Sequence, residues 1–505
     1  MSRFVVRQLI FGTTAVLGMM FEHPRAFFFK LSERFRATNF PGSQTLSSGL
    51  RGISGGQVLM DVDVPEPTSE NLDLLTGREV EKAIQLLRGM PETGRFDRIH
   101  TDVIRPLMLL NNSEPYTKSG YTLRSQKLLA ALRKSGVPAF AVTRIGYPTL
   151  VGRLAESDTT LVDDVPYRHI IPLLQSRSLL RRETKTVKAI EQIADENQVN
   201  ILHTTTDFKN AYAVASAARK LNVPWVYEVR GEPHNTWLSK LPEEERQNAK
   251  SSFYYRRAAA QELASVTSAD AVIVLSEVSR QQWIRRGVAA EKLYVVPNSI
   301  DAEMLELDPD KTSEESEARD EKVPVIGTVT SVVSYEGLDL ILEAVQSMDG
   351  VEGLVVGDGV DLPRLRDRAR QLGITDRMTF VGYRPHDEIV DWYKRIDVFV
   401  MPRIDSPVCR NVTPIKGLMA QALGLPVVAT DLPALREVTG GIGFYFEPGN
   451  LDSFIGAIRK ALVSNSERIS SESRRWASTR TWGSAAEQLV EIYSDLLTTQ
   501  TKTDF

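Results

Sequence analysis

Thiol chemistry is nearly absent from this chain: Cys409 is the single cysteine among 505 residues, so no disulfide can form within it, which fits a reducing compartment. Histidine is scarce as well. Six scattered histidines and one cysteine give no ligand spacing for a structural metal, and no metal site is expected. There is no basic excess, with 61 Lys and Arg against 65 Asp and Glu and a formal charge of −4, so nucleic acid is not an expected partner. Long apolar runs are missing too. Leu9 to Phe21 is mostly apolar but falls well short of the ~20 residues that span a bilayer. Glu22-His23-Pro24 follows it in place of a small-residue cleavage site, which argues against a signal peptide. No internal repeat of solenoid period is visible.

What the chain has is length, too much for one core and enough for two domains with extensions. After the apolar stretch come Arg25, Phe27, Phe28, Phe29, Lys30, Arg34, Phe35 and Arg36, basic and aromatic residues interleaved. Two readings of residues 1–37 are open. They could form an arm at a membrane interface, rings at headgroup level and cations toward anionic lipid. Alternatively, the aromatics pack on the first domain. Thr38 to Asn71, rich in Gly, Ser and Pro, reads as linker, and Glu79 to Met90 has helical periodicity and reads as a lone helix on the body.

From there strand and helix patterns alternate, the signature of α/β domains with parallel sheets. Val103 to Leu110, Ala139 to Thr143, Asn200 to His203 and Val223 to Val229 are expected strands, and Tyr121 to Ser135 is an expected helix. Residues 306–322 are acidic and read as a linker. Beyond it the most informative stretch runs from Val323 to Glu447. A strand ends in Gly327, a second runs into Gly357-Asp358-Gly359, a third ends in Pro402-Arg403, and Leu425 to Asp431 is a fourth. Ligands of such sheets bind at the carboxyl ends of strands, where glycines let backbone N–H groups and helix N-termini approach phosphate oxygens.

The order of these landmarks resembles glycosyltransferase family 4, the retaining transferases of GT-B fold that use nucleotide sugars. Upstream, Ala269-Asp-Ala-Val-Ile-Val-Leu-Ser276 and Val295-Val-Pro-Asn-Ser-Ile-Asp301 resemble that family's passage between domains, and Pro115 to Arg124 resembles its Gly-rich first loop. The resemblance spans residues 103–495. It implies two Rossmann-like domains facing a cleft: an extension over 1–100, an acceptor domain over 101–304, a linker over 305–322, a nucleotide-sugar domain over 323–480, and a last helix within 481–505 crossing back to the first domain.

Breaking the bond between an anomeric carbon and a diphosphate puts charge on the leaving phosphate, so catalysis needs fixed positive potential there. In most of the family an Arg and a Lys follow the first strand of the second domain. Here Gly327-Thr-Val-Thr-Ser-Val-Val-Ser-Tyr-Glu-Gly337 stands instead, with Glu336 where the Lys is expected. A sub-group with this longer loop also carries a segment similar to Val412-Thr-Pro-Ile-Lys-Gly-Leu-Met-Ala420, so Arg403, Arg410 and Lys416 are candidates for the positive charge. The two glutamates usual in the family fall on Asn411 and Met419, and Met419 offers only a weak thioether acceptor to a ribose. Arg230, in a Tyr-Glu-Val-Arg run, occupies the place of a catalytic-site His, and could touch the donor or form a structural pair with Glu228. By resemblance Ser119 and Gly120 lie over the donor phosphates, and Gly382 and Tyr383 meet the nucleobase.

The expectation is thus catalytic roles for Arg230, Arg403 and Lys416. Donor contacts are expected from Ser119, Gly120, Gly327, Gly357, Gly359, Gly382, Tyr383, Arg410, Asn411 and Met419. No cofactor is expected; a UDP- or GDP-linked sugar would be co-substrate, and a glycan or lipid-linked molecule the acceptor, in envelope or exopolysaccharide synthesis. The place of work would be cytoplasmic, or peripheral on the inner face of the membrane. Against this stands a non-catalytic subunit of the same fold, partner to another transferase, which the residues Thr328, Thr330, Glu336, Asn411 and Met419 favour.

Overall fold

The computed structural model describes residues 3–22, 77–91, 103–239, 241–307, 323–385, 388–464 and 466–498. The chain divides into two compact units, Met1–Ile273 with Val490–Phe505, and Val274–Leu489. The acidic stretch 308–322 and the basic-aromatic stretch 25–36 lie outside the described residues, as does the Gly-, Ser- and Pro-rich segment 38–71.

The first sheet takes β1 (Pro106–Leu110), β2 (Phe140–Thr143), β3 (Thr159–Val162), β4 (Val165–His169), β5 (Ile201–Thr205), β6 (Trp225–Val229), β7 (Ala271–Val274) and β8 (Leu293–Val295), in the order β3-β4-β2-β1-β5-β6-β7-β8. The β3–β4 pair is antiparallel, while β1 pairs in parallel with β2 and β5, and β5 with β6. The second sheet takes β9 (Val325–Val329), β10 (Glu352–Val356), β11 (Met378–Gly382), β12 (Val398–Met401), β13 (Val427–Thr430) and β14 (Phe444–Phe446), in the order β11-β10-β9-β12-β13-β14 and parallel at every pair.

Continuous apolar strands follow from two covered faces. Along β10, Val355 enters one apolar cluster while Leu354 and Val356 enter another; along β12, Val398 and Val400 go to the first and Phe399 and Met401 to the second. The alternation is the two-residue period of a strand. One expectation needs correcting here. Gly327 does not end its strand. Thr328 and Val329 continue the ladder opposite Val355 and Val356, and a Cβ on Gly327 would lie 2.8 Å from Ile396, so this glycine makes room for a packed side chain inside the sheet.

The N-terminal segment forms a helix, Arg3–Glu22, longer than its apolar stretch. Its anchor is Gln8, fully buried: Nε2 donates to the Ala155 carbonyl at 2.6 Å and Oε1 accepts the Ala155 N–H at 2.8 Å. Phe11, also buried, lies against Gly146, where any Cβ would meet its ring at 2.6 Å. Gln8 and Phe11 pack on the body while Val6, Leu9 and Ile10 are exposed, and the aromatic residues on which the two readings of the arm turn lie outside the described residues. Among the described residues no helix is long and apolar enough to cross a membrane. The helix Gly77–Leu87 packs on the body, as expected. Arg88 after it forms a two-pronged pair with Glu183, and Gln261 donates to the carbonyls of Leu86 and Arg88 at 3.0 and 2.7 Å. The last helix, Trp482–Thr498, brings the Tyr493 hydroxyl to 2.7 Å from His203 Nδ1 within the first unit.

A buried acid gives this unit a pH dependence. Glu262 accepts hydrogen bonds from the Phe208 N–H at 2.8 Å and the Tyr227 hydroxyl at 2.6 Å. Burial pushes its carboxyl from the ordinary 4.5 up to about 8, the Tyr227 and Phe208 donors opposing and Asp207 adding to the rise. A carboxyl raised in this way takes up a proton on folding, so its contribution is complete below about pH 4.5 and lost as pH rises towards about 8. Glu262→Gln keeps an acceptor for Phe208 and cannot ionise. It is expected to flatten the decline of melting temperature between those two pH values, followed by circular dichroism; an unchanged slope would assign the decline to other groups.

Candidate functional site

In the second unit the carboxyl ends of β9, β10 and β12 lead into three loops that touch one another through glycines. Gly357 has φ +134° and its Cβ would fall 1.8 Å from the Thr330 carbonyl oxygen; a Cβ on Gly359 would fall 2.1 Å from that of Val332. Gly337, at φ +68°, would place one 1.9 Å from the Pro402 oxygen. No side chain fits at these approaches. Backbone bonds fasten the loops: Thr330 N–H to Val356 O at 2.8 Å, Val332 N–H to Asp358 O at 2.9 Å, and Ile404 N–H to Tyr335 O at 3.1 Å.

The charged centre of this arrangement is Glu336, 4% exposed. Arg403 grips its carboxylate with Nε at 3.1 Å and Nη2 at 2.8 Å, and Lys416 Nζ donates to the same carboxylate at 3.0 Å and to Thr330 Oγ1. Burial alone would raise the Glu336 pKa, but the attraction of Arg403 and Lys416 outweighs it and holds the group below the ordinary carboxylate range. Burial also pulls the Lys416 ammonium below its ordinary value; Glu336 opposes that and Arg403 adds to it. Two cations against one carboxylate leave one net positive charge, and it is presented by Lys416, whose side chain is 22% exposed against 7% for Arg403. An anion arriving here meets Lys416 first.

The structure thus brings together Arg403, Lys416, Gly357 and Gly359, with Glu336 and Thr330 added. Glu336, which stands where a cation is usual, is the hub on which two candidate cations converge. Arg410 and Asn411 lie on the neighbouring short helix Pro407–Asn411, and the exposed Arg410 is paired with Asp405 through Nε at 2.5 Å and Nη2 at 2.6 Å. Gly382 ends β11 at φ +80°, its carbonyl accepting from Gly357 N–H at 2.9 Å, and Tyr383 beside it is exposed. Met419 is 9% exposed and belongs to the apolar cluster of Tyr393, Phe399, Met401 and Leu435. It packs in the core, so the donor contact expected of it is not what its surroundings suit.

In the first unit Ser119 caps the helix Gly120–Lys134: its Oγ accepts the Thr122 N–H at 3.2 Å and Thr122 Oγ1 accepts the Ser119 N–H at 2.8 Å. Gly120 faces open space, with no atom within 4 Å of a built Cβ. Arg230 is 6% exposed and heavily engaged. It donates through Nη2 to Glu228 at 2.6 Å, and through Nη1 to the Tyr121 carbonyl at 2.8 Å and Ser125 Oγ at 2.7 Å. Arg124 Nε donates to the other Glu228 oxygen at 2.6 Å. Although burial opposes it, Arg124, Arg230 and His203 hold the Glu228 carboxyl far below its ordinary range. His203, fully buried, is lowered to about 4 by burial and stays neutral near pH 7. The Tyr-Glu-Val-Arg run therefore builds the structural pair that the sequence left open, extended by Arg124, which sequence reasoning missed.

Two family models match this chain, one described as Glycosyl transferases group 1 over residues 323–464 and one as Glycosyl transferase 4-like domain over 119–299. A GDP-mannose-dependent alpha-(1-6)-phosphatidylinositol monomannoside mannosyltransferase of Mycobacterium tuberculosis is 25% identical over 235 residues, 44% of this chain and 61% of that protein. The lipopolysaccharide core biosynthesis mannosyltransferase LpsB of Rhizobium meliloti is 31% identical over 158 residues, 29% of this chain and 43% of that protein. The chain thus spans less than two thirds of the length of these curated relatives. The crystal structure of Anabaena HepE in complex with UDP aligns over 78% of this chain and 100% of its own, with a TM-score of 0.56 and 20% identity, a likeness of fold.

The surroundings of Met419 make a direct test. Met419→Glu would bury a carboxylate among apolar side chains without a partner, and a cost of about 3 kcal/mol is expected. Thermal melting is expected to fall by roughly 6–12 °C, scaled for a unit of this size. An unchanged melting temperature would mean that the carboxylate finds a polar partner there.

Proposed function

Since this chain belongs to the group 1 glycosyltransferases, with a 4-like domain ahead of the group 1 domain, we propose that it transfers a sugar from a nucleotide diphosphate with retention of anomeric configuration. The acceptor on this reading is a glycan or a lipid-linked molecule of envelope or exopolysaccharide synthesis. The observation that carries the reading is the Lys416–Glu336–Arg403 cluster beside the Gly357–Gly359 loop, a positive point next to a loop of closely packed backbone. The printed activities of two relatives, in mannosyl lipid and lipopolysaccharide core synthesis, support the acceptor class. The HepE complex supports a nucleoside diphosphate as the bound leaving group, and the GDP-mannose dependence of one relative keeps both bases in play.

On this reading Lys416 stabilises the charge that gathers on the diphosphate as the anomeric C–O bond breaks. The acceptor hydroxyl attacks the face from which the diphosphate departs and passes its proton to the departing phosphate oxygen. Arg403 acts through Glu336, which fixes the Lys416 ammonium at 3.0 Å, and is a positioning residue. Arg230, engaged with Glu228, keeps at most Nε and one Nη2 hydrogen for a ligand. The proposed positive potential comes from side chains, so turnover is expected to persist in chelator; its loss in chelator with rescue by manganese would overturn this part of the proposal.

A second reading, a non-catalytic subunit of the same fold, is favoured by the apolar surroundings of Met419 and by the carboxylate that neutralises one of the two cations. Calorimetry with UDP- and GDP-sugars separates the two. The enzyme reading expects one donor to bind and Lys416→Ala to weaken it by about 10–100-fold, the worth of one charge-assisted contact. Lys416→Arg is expected to recover part of the loss. Absence of binding by every donor would leave the second reading standing.

A further inference from the structure

The first unit contains a cavity of about 270 Å³. Two of its walls come from segments ahead of the matched 4-like domain: Phe11 on the helix Arg3–Glu22, and Arg78, Lys82, Gln85 and Leu86 on the helix Gly77–Leu87. Both walls are held in place. Gln8 binds both backbone groups of Ala155, and Glu81 accepts from the Leu179 N–H at 2.6 Å and from Ser178 Oγ at 2.5 Å. The void is built into the unit by bonds between residues 97 to 147 positions apart.

Its lining is one-sided in charge. Arg78, Lys82, Arg144, Arg182, Lys185 and Lys209 border it, and among the described residues Glu183 is the one carboxylate in its lining. That carboxylate is already gripped by Arg88, through Nη1 and through Nη2 at 2.6 Å, with Gln85 Nε2 at 3.3 Å. Although Arg78, Lys82, Arg144 and Arg182 also interact with neighbouring groups, the excess of cations gives the hollow a positive potential that favours an anion. A second, independent observation points the same way. Asn210, 8% exposed, borders the cavity and its Nδ2 has no hydrogen-bond partner among the described residues; Arg144 Nε is likewise buried without one among them. Orphaned buried donors are rare, and these two share one hollow. Phe11, Leu86, Leu150 and Phe208 complete the wall with apolar surface.

We propose that this cavity binds an anionic amphiphile, a phosphate or similar oxyanion carried on an apolar stem. The oxyanion takes the Asn210 amide and the surrounding cations, and the stem lies along Phe11 and Leu150. The site is separate from the nucleotide-diphosphate reading of the second unit, and its tests read binding rather than sugar transfer.

Monomeric octyl phosphate, octyl glucoside and inorganic phosphate are titrated into the full chain by calorimetry. Octyl phosphate is expected to bind about tenfold or more tightly than either control, more weakly as salt rises. Lys185→Glu with Lys209→Glu, both exposed positions, is expected to abolish that preference without lowering the melting temperature. Asn210→Leu removes an unpaired buried donor, so it is expected to weaken binding while leaving stability intact. Vesicles containing phosphatidate form a further arm. Co-sedimentation that the double variant weakens assigns the anion to a lipid headgroup, and octyl phosphate binding without co-sedimentation assigns it to a soluble ester. The proposal is overturned if octyl glucoside or inorganic phosphate binds as tightly as octyl phosphate, if octyl phosphate does not bind, or if the double variant binds it unchanged.

Discussion

The buried carboxylate of Glu336 is the constraint on which the second unit's site depends. It joins the loop after β9 to Arg403 after β12 and to Lys416 on the helix Ile415–Ala422. An isolated carboxylate at 4% exposure would carry a large desolvation penalty; with three donors from two cations it stays ionised. The glycines around it belong to the same constraint. Gly337 lets the loop bearing Glu336 lie against the Pro402 carbonyl, which places Arg403 within reach of the carboxylate. Charge and close approach therefore depend on each other.

The first unit repeats the device around Glu228, with a different consequence. Arg124 and Arg230 each take one oxygen, and the neighbouring His203 ring gives Nδ1 to Tyr493 while its buried Nε2 has no hydrogen-bond partner among the described residues. Little of that network is left for a ligand, whereas Lys416 remains partly open beside its carboxylate. The same pairing of acid and base thus gives a rigid joint in one unit and a primed cation in the other. Exposure of the cation decides which.

Much of the fold was legible in the residues. Apolar runs bounded by glycines marked the strands of the second sheet, and their lack of polar alternation already implied a sheet covered on both faces. Boundaries were less legible. Gly327 reads as a strand end because glycine usually interrupts a strand, yet the ladder with Val355 and Val356 carries on past it. At the site, Arg403, Lys416, Gly357 and Gly359 were visible as residue types following strands. Arg410 was visible too, but Asp405 five positions earlier captures it. The role of Glu336 was hidden, since its partners lie 67 and 80 residues away and no local pattern announces a pair at that distance.

By itself the sequence determined the α/β class, the alternation of strands and helices, the candidate cations at the ends of strands, and a cysteine count that allows no disulfide within the chain. These are properties of local periodicity and composition, which each short segment carries independently. Tertiary structure alone decided that Met419 faces a core, that Arg230 is bound to Glu228, and that Phe11, Arg78, Arg144, Lys185 and Lys209 border one hollow. Each of those depends on which distant segments meet. Burial and partner, more than residue type, set whether a charged group is a joint, an open cation or part of a binding wall.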